Sequence, residues 1–449
     1  MKEEIYKIYS PFKLSDGDMK LLEDPEILDA FNKANENYLH WEELRYKTWI
    51  PKKFATESAK EVFWSLLRIK RAIDSTITPI RDKNGACFKV NARNYNEFLH
   101  IADKELAGNF MGIAPLSEAS KKQFISRNLI EESIASSQLE GANTSRAVAK
   151  KMLLEGRKPN NHSEQMIVNN YQAMLKIEQE LCNKDLSFEL ICELHSIITD
   201  KTLAEDKKGK LRETFDKHGE RLKVIPWLNE VTYVAPDKEF VEAELPKLID
   251  FANDKNTNNA EFIHPIIKAI MLHFWIGLLH PFEDGNGRLA RTLFYWYMLK
   301  HGYWAFKYLS LSEKIKKSSK QYSMAYIYSE QESHDLTYFI QYNIEKLKIA
   351  RKDFQEYIEK KLKENISTVQ INQEKYHLNE RQTKLLHYLH QETENRTNIA
   401  AYQLSYVVKK GTAIADLKKL VEKKFLRKKK LGRNTFYYPT QAIHELFES

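Results

Sequence analysis

The chain has 449 residues, 42% of them hydrophobic, 29% charged and 12% aromatic, with only 14 Gly and 12 Pro, which excludes collagen-like, mucin-like and wholly disordered classes. At about 100–200 residues per domain, this length predicts two to four domains. The formal net charge is +8, and the segment from Leu404 to Arg433 alone carries eleven Lys and Arg against two acids, so the rest of the chain is close to neutral and one cationic patch points to a polyanion or a solvated face.

The N-terminus, Met1-Lys-Glu-Glu-Ile-Tyr, has acids where a signal peptide needs an apolar core, and no stretch approaches the roughly 18 apolar residues of a membrane span. The expectation is therefore a cytoplasmic protein without membrane contact. Cys87, Cys182 and Cys192 form no CxxC pair, and reduced, mostly buried thiols are expected.

From the N-terminus to about Leu106, apolar residues recur at helical spacing (Ile27, Phe31, Ala34, Tyr38; then Phe63, Leu66, Leu67, Ile69, Ile73), which predicts a helical support region. Gly108 to Ser117 breaks that pattern and reads as a linker. A helix is predicted from about Lys121 to Leu139, with Phe124, Leu129, Ile130 and Ile134 on its apolar face and Gly141 placed to end it. Further helices are predicted from Glu164 to Cys182 and from Ser187 to Ile198. Between Arg221 and Ala235, apolar pairs flank a break at Pro226 to Glu230, which predicts a two-stranded hairpin.

A strongly apolar helix from Pro265 to Leu279 leads into His280-Pro281-Phe282-Glu283-Asp284-Gly285-Asn286-Gly287-Arg288, after which helical spacing resumes from Leu289 to Leu299. Gly285 and Gly287 let the backbone approach a ligand closely. A helix starting just after them presents unpaired N–H groups and the positive end of its dipole, a ready anion site with phosphate as its usual guest. Arg288 and Arg291 lie one turn apart at that start and offer forked donors to phosphate oxygens. Asp284 suits the hard divalent ion that accompanies a nucleoside triphosphate, and His280 suits a general base toward an attacking hydroxyl. Together these residues read as phosphoryl or nucleotidyl transfer by positioning and charge neutralisation. His264, His273 and Tyr295 to Tyr297 are most simply core or pocket wall.

The string His280 to Arg291 resembles the active-site signature of Fic domain proteins, HxFx(D/E)GNGRxxR, with no departure at a fixed position. Gly209-Lys210-Leu211-Arg212 and Thr232-Tyr233-Val234-Ala235-Pro236 resemble the segments that bound the family's flap, Ala235 standing where a second Pro is usual. The resemblance spans about Leu186 to Leu347. It implies transfer of AMP from ATP to a Ser, Thr or Tyr hydroxyl of an unknown target protein, with Mg2+ as cofactor. His280 would be the general base and Asp284 the Mg2+ ligand; Gly285, Asn286 and Gly287 would cradle phosphates that Arg288 and Arg291 neutralise, while Phe282 anchors the loop. The Doc kinase relatives carry Ala and Lys where Gly285 and Gly287 stand, which favours AMP transfer over phosphorylation. The flap residues Val224, Ile225, Thr232, Tyr233 and Val234 would hold the target as an added strand.

Ser136-x-x-x-Glu140-Gly141 resembles the family's inhibitory motif, (S/T)xxxE(G/N). A carboxylate paired bidentately with Arg291 would take the space and charge that the γ-phosphate of ATP needs. In some relatives the equivalent Glu assists removal of AMP, so a de-AMPylating enzyme is an alternative.

From His377 to Pro439, helices at Gln382 to His390 and Ile399 to Val407, a third at Thr412 to Lys423 and a basic hairpin resemble a winged helix-turn-helix, with the third as recognition helix. Lys418, Lys419, Lys423, Lys428, Lys429, Lys430 and Arg433 are the candidate DNA-phosphate contacts. Winged helices also serve as protein-binding or dimer modules, which leaves DNA, a protein and a homodimer open. A DNA-binding regulator that uses the Fic core as a nucleotide sensor is the second alternative.

The expected fold is mainly α: an N-terminal helical region (1–120), a Fic-type helical core with a β-hairpin flap (121–365, inhibitory helix 121–141, core 186–347) and a C-terminal winged helix-turn-helix (366–449).

Overall fold

The computed structural model describes residues 5–107, 118–225, 230–255, 262–390, 396–431 and 434–443, without the side chains of 118–124, 357–358, 360–375 and 434. The expected linker at 108–117, the hairpin tip at 226–229, the Phe124 side chain and Arg433 lie outside these.

Three helices open the chain: α1 (Pro25–Glu36), α2 (Trp41–Leu44) and α3 (Glu57–Ile73). The α1 start combines an Asp24 side-chain cap with Pro25, whose missing N–H costs nothing there. Ile27, Phe31, Trp41, Phe63 and Trp64 form a core of their own between these helices. The region is not helical throughout, as the sequence reading had it. Strands β1 (Thr76–Arg81) and β2 (Cys87–Val90) pair antiparallel across an Asp82–Gly85 turn, in which Asp82 accepts from the Asn84 and Ala86 amides and Gly85 takes φ +84°. Helix α4 (Asn96–Ala102) follows.

From Ile80 onward these residues join the main core, so the expected division at 120 cuts through packed structure: Phe88, Leu99 and Leu106 share one cluster with Phe274, Trp275 and Phe339. That cluster is built by α5 (Glu118–Leu139), α6 (Arg146–Glu155), α7 (His162–Lys176), α8 (Phe188–Ile198), α9 (Lys238–Ala252), α10 (Pro265–Leu279), α11 (Asn286–Lys300), α12 (Leu311–Lys316), α13 (Ser319–Gln331) and α14 (Thr337–Tyr376). Apolar on all faces, α10 takes the centre with α11 packed along it, and Phe274, Trp275 and Trp296 are fully buried. Between α8 and α9, β3 (Lys223–Val224) and β4 (Tyr233–Val234) form the expected hairpin, with Val224 opposite Tyr233.

Helix α14 is continuous through position 366, where a division was expected. The chain leaves the helix at Tyr376, and His377 takes φ +52°. Beyond it come α15 (Glu380–His390), β5 (Thr397–Asn398), α16 (Ile399–Tyr406), α17 (Lys410–Glu422), β6 (Leu426–Leu431) and β7 (Asn434–Pro439), with strand order β5-β7-β6. Buried Asp416 holds these helices together by accepting from Asn379 Nδ2 (2.7 Å), Arg381 Nη2 (2.8 Å) and the Tyr402 hydroxyl (3.0 Å). The unit docks on the main body: α16 packs against α5 and α6, and Arg396 pairs with Glu155 at 3.1 Å. Among the described residues, no helix is long and apolar enough to cross a membrane.

Candidate active site

The loop between α10 and α11 is set by its backbone. His280 ends α10 in the left-handed region (φ +46°), and Gly285 caps α11 at φ +85°. A Cβ on Gly285 would stand 2.9 Å from Thr199 Cγ2, so no other residue fits without displacement. Asn286 was expected to face phosphate. Its buried side chain is committed instead to the loop, accepting from the Phe282 N–H (2.9 Å) and donating to the Phe282 carbonyl (2.7 Å), which leaves its backbone at the helix start for a ligand.

Two residues outside the motif fix the loop. His195 Nδ1 accepts from the Gly209 amide (3.0 Å), so its Nε2 carries the proton and donates to the Asp284 carbonyl (2.8 Å), and its ring stacks on Phe282 at 3.8 Å. Buried Arg212 donates from Nε to the His280 carbonyl and from Nη2 to the Pro236 carbonyl, each at 2.7 Å, tying the His280 loop to the end of the flap. Nothing local in the sequence marks His195 for this role; Gly209 to Arg212 had been noted only as a flap boundary. The Tyr233 hydroxyl, donating to the Leu278 carbonyl (2.6 Å), anchors the flap from the other side. The N-terminal segment also reaches this edge: the Tyr6 amide donates to the Val231 carbonyl (2.8 Å), and Gln331 bridges Tyr6 and Ile8.

His280 is half-buried, and its Nδ1 lies 3.2 Å from the Gly277 carbonyl, an acceptor. Nδ1 therefore carries the proton and Nε2 keeps a lone pair, while burial pushes the imidazole below its ordinary value and keeps it neutral. Arg288, fully buried, donates to the Ile198 carbonyl (2.8 Å) and reaches Asp284 Oδ2 at 3.3 Å. Arg291 donates from Nε to Ser136 Oγ (2.9 Å) and from Nη2 to the Ser136 carbonyl (2.8 Å) and Glu140 Oε1 (2.9 Å). The expected bidentate pair is thus a single contact through Nη2, which Glu140 shares with the Ser136 carbonyl. Glu140 Oε1 would stand 2.2 Å from a Cβ on Gly287, so this carboxylate lies against the N-terminal turn of α11.

Helix α5, which carries Ser136 and leads directly into Glu140, is itself pinned. Buried Glu132 accepts from the Ser310 hydroxyl (3.0 Å), the Ser312 amide (2.9 Å) and the Ser312 hydroxyl of α12. Gly141 ends the segment at φ +89°.

The site fits a polyphosphate. Arg288 Nε and Arg291 Nη1 are buried without a hydrogen-bond partner, a costly state that an anion's oxygens would relieve. The carboxylate that could hold a divalent cation is Asp284, which is 48% exposed and, among the described residues, takes the Gly285 amide (2.6 Å) and the long Arg288 contact. Among the described residues, no cluster of three or more His, Cys, Asp or Glu side chains could hold a metal ion. One carboxylate plus substrate oxygens and waters suits Mg2+, which rarely uses an all-protein cage.

The C-terminal candidates are divided. Lys428, Lys429 and Lys430 are all exposed on the edge strand β6, and Lys418 is exposed beside Glu422 at 3.7 Å. Lys423 is half-buried, and Lys419 donates to the His377 carbonyl (2.8 Å).

Two buried histidines make stability depend on pH. Burial lowers His195 to about 4 and His273 to about 3, against an ordinary 6.5. Above 6.5 neither folded nor unfolded chain protonates them; below it only the unfolded chain does, down to the folded values. The melting temperature is therefore expected to fall as pH drops from 6.5 toward 4, and His195→Gln to flatten that slope; equal slopes in calorimetry would contradict it.

Residues 185–298 match the Fic/DOC family. The protein adenylyltransferase fic-1 of Caenorhabditis briggsae is 28% identical over 155 residues, 34% of this chain and 27% of that protein. The protein adenylyltransferase Fic of Aedes aegypti is 25% identical over 189 residues, 42% of this chain and 34% of that protein. The chain thus spans about a quarter to a third of the length of these curated relatives. Among solved structures, Fic-1 from Caenorhabditis elegans is similar over 77% of this chain and 88% of that one, at 18% identity and a TM-score of 0.48. The residues that match the Fic/DOC family, 185–298, are those that hold the flap, the His280 loop and the start of its helix.

Proposed function

We propose that this protein is an autoinhibited protein adenylyltransferase that moves AMP from ATP to a Ser, Thr or Tyr hydroxyl of a target protein. The observation that carries the reading is the pairing of a neutral His280, its Nε2 lone pair unspent, with the start of α11 and two buried arginines that have donors to spare. In the reaction, His280 Nε2 takes the proton of the target hydroxyl. That oxygen bonds to the α-phosphorus, the bond from the α-phosphorus to the α,β-bridging oxygen breaks, and pyrophosphate leaves. Arg288, Arg291 and the N–H groups at the start of α11 hold the phosphates, with Gly285 and Gly287 allowing the close approach. Asp284 would hold Mg2+, which when bound supplies charge neutralisation at the phosphates. The flap, with Val224, Ile225, Thr232, Tyr233 and Val234, would hold the target by main-chain pairing, which fixes a hydroxyl in place without reading side chains.

Glu140 supports the autoinhibited form: its carboxylate sits against α11 and Arg291, where the terminal phosphate would bind. A comparison of α-labelled with γ-labelled ATP tests the reaction class. Protein label from the α position alone is expected, whereas label from the γ position would make the enzyme a kinase.

A second reading rests on the exposed run Lys428–Lys430: the C-terminal unit, as a winged helix-turn-helix, would bind DNA phosphates and make the chain a regulator. Duplex retardation that weakens steeply with salt is expected on that reading; no retardation at low salt would remove DNA.

A further inference from the structure

One cavity, of about 630 Å³, joins the site to a wall that the mechanism above does not use. It is lined by His280, Glu140 and Gly287, by Val224, Ile225, Thr232 and Tyr233 of the flap, and by a single face of α13 that runs through Tyr322, Tyr326 and Glu330. Tyr322 lies at the phosphate end, where its hydroxyl meets His273 (2.8 Å) and its electrostatics feel Arg291. Glu330 is eight residues further along α13, about 12 Å at 1.5 Å per residue. That is the reach from the terminal phosphates of an extended nucleotide to its base.

Glu330 is half-buried, and among the described residues no side chain forms an ion pair or hydrogen bond with it. Between the two lie aromatic and aliphatic surfaces (Tyr326, Ile327, Val224) of the kind that flank a planar ring. We propose that the Glu330 carboxyl group holds the edge of the adenine ring and so sets the nucleotide preference of this site. The inference rests on the nucleotide-transfer reading given above.

The chemistry follows from donors and acceptors. Adenine offers an acceptor ring nitrogen beside an amino donor, and a neutral carboxyl matches it with one O–H and one C=O. A carboxylate has no donor, repels the ring nitrogen, and matches instead the two adjacent N–H donors of guanine. Burial pushes Glu330 up to about 8, so it carries its proton at neutral pH. The two groups whose electrostatics feel it, Tyr233 of the flap and Tyr326 of α13, are both raised by burial and do not change over that range, and His280, elsewhere in the lining, is lowered by burial. Glu140 and Lys320 also line the cavity.

The test is calorimetric binding of Mg-ATP and Mg-GTP to the full chain carrying Glu140→Gly, at pH 7 and pH 9, with Glu330 intact, as Glu330→Gln and as Glu330→Ala. With Glu330 intact, ATP is expected to bind roughly ten-fold more tightly than GTP at pH 7, the value of one good base-edge pair, and the ratio should fall sharply by pH 9. Glu330→Gln, whose amide has a donor and an acceptor at every pH, should keep the preference without the pH dependence, and Glu330→Ala should lose it. One ratio shared by all three chains would overturn the proposal, as would a Glu330→Ala chain that binds both nucleotides normally and fails only in modifying a target. Binding as predicted with no AMP transfer would instead overturn the reaction and leave the base contact standing.

Discussion

Replacing Glu140 with Gly is expected to raise AMP transfer by on the order of 10²-fold, the scale on which a misplaced reacting group is penalised. The cause is local. Glu140 Oε1 lies 2.9 Å from Arg291 Nη2 and against the first turn of α11, where on the proposed reading a terminal phosphate would sit. Removing it frees one arginine edge while Ser136 still holds Nε and Nη2, so the arginine stays where it is. Ser136→Ala should do less, because it loosens Arg291 without clearing the phosphate site. The check is initial-rate measurement on both variants: a Glu140→Gly chain no faster than wild type would remove the brake.

His280→Ala, in the Glu140→Gly chain, is expected to cost 10³-fold or more in kcat, near the upper range of general-base catalysis, with nucleotide affinity nearly unchanged. His280 makes its side-chain hydrogen bond backward, to the Gly277 carbonyl, so binding and chemistry should separate. Because burial holds the imidazole below its ordinary value, the base form persists through neutral pH, and activity should decline only on the acid side. Equal losses in binding and turnover would mark His280 as structural. Activity that survives the substitution would assign the base elsewhere.

Much of this centre was legible because its signals are local. An apolar run from Pro265 to Leu279, two glycines and a resumed helix fix the order of helix, loop and helix, and the structure follows it residue for residue at the α10 ends. The pairing of Glu140 with Arg291 links positions 151 apart and was reached through a motif; its geometry, a single contact on an Nη2 shared with the Ser136 carbonyl, was not. His195 and Arg212 act through contacts 89 and 68 residues away, which no spacing rule reveals.

Elsewhere the sequence carried a signal that went unused. Asn84-Gly85 between alternating residues is a hairpin pattern, yet Pro79 and the polar strands around it hid β1 and β2 within a region of helical spacing. At the expected boundaries, 120 and 366, the structure shows shared packing and continuous helix. Packing, not composition, decides them: Ile80 to Leu106 belong to the main core, and α14 carries its polar stretch as uninterrupted helix. Glu330 is a lone acid on a helix in the sequence, and only the cavity gives it a role.

The most direct test of the central claim is label transfer from α-labelled ATP with magnesium, read by gel and intact mass, for wild type, Glu140→Gly, and Glu140→Gly with His280→Ala. Strong label on Glu140→Gly, little on wild type and none on the double variant is the predicted result. Equal label on wild type and Glu140→Gly, or label that persists without His280, would contradict it.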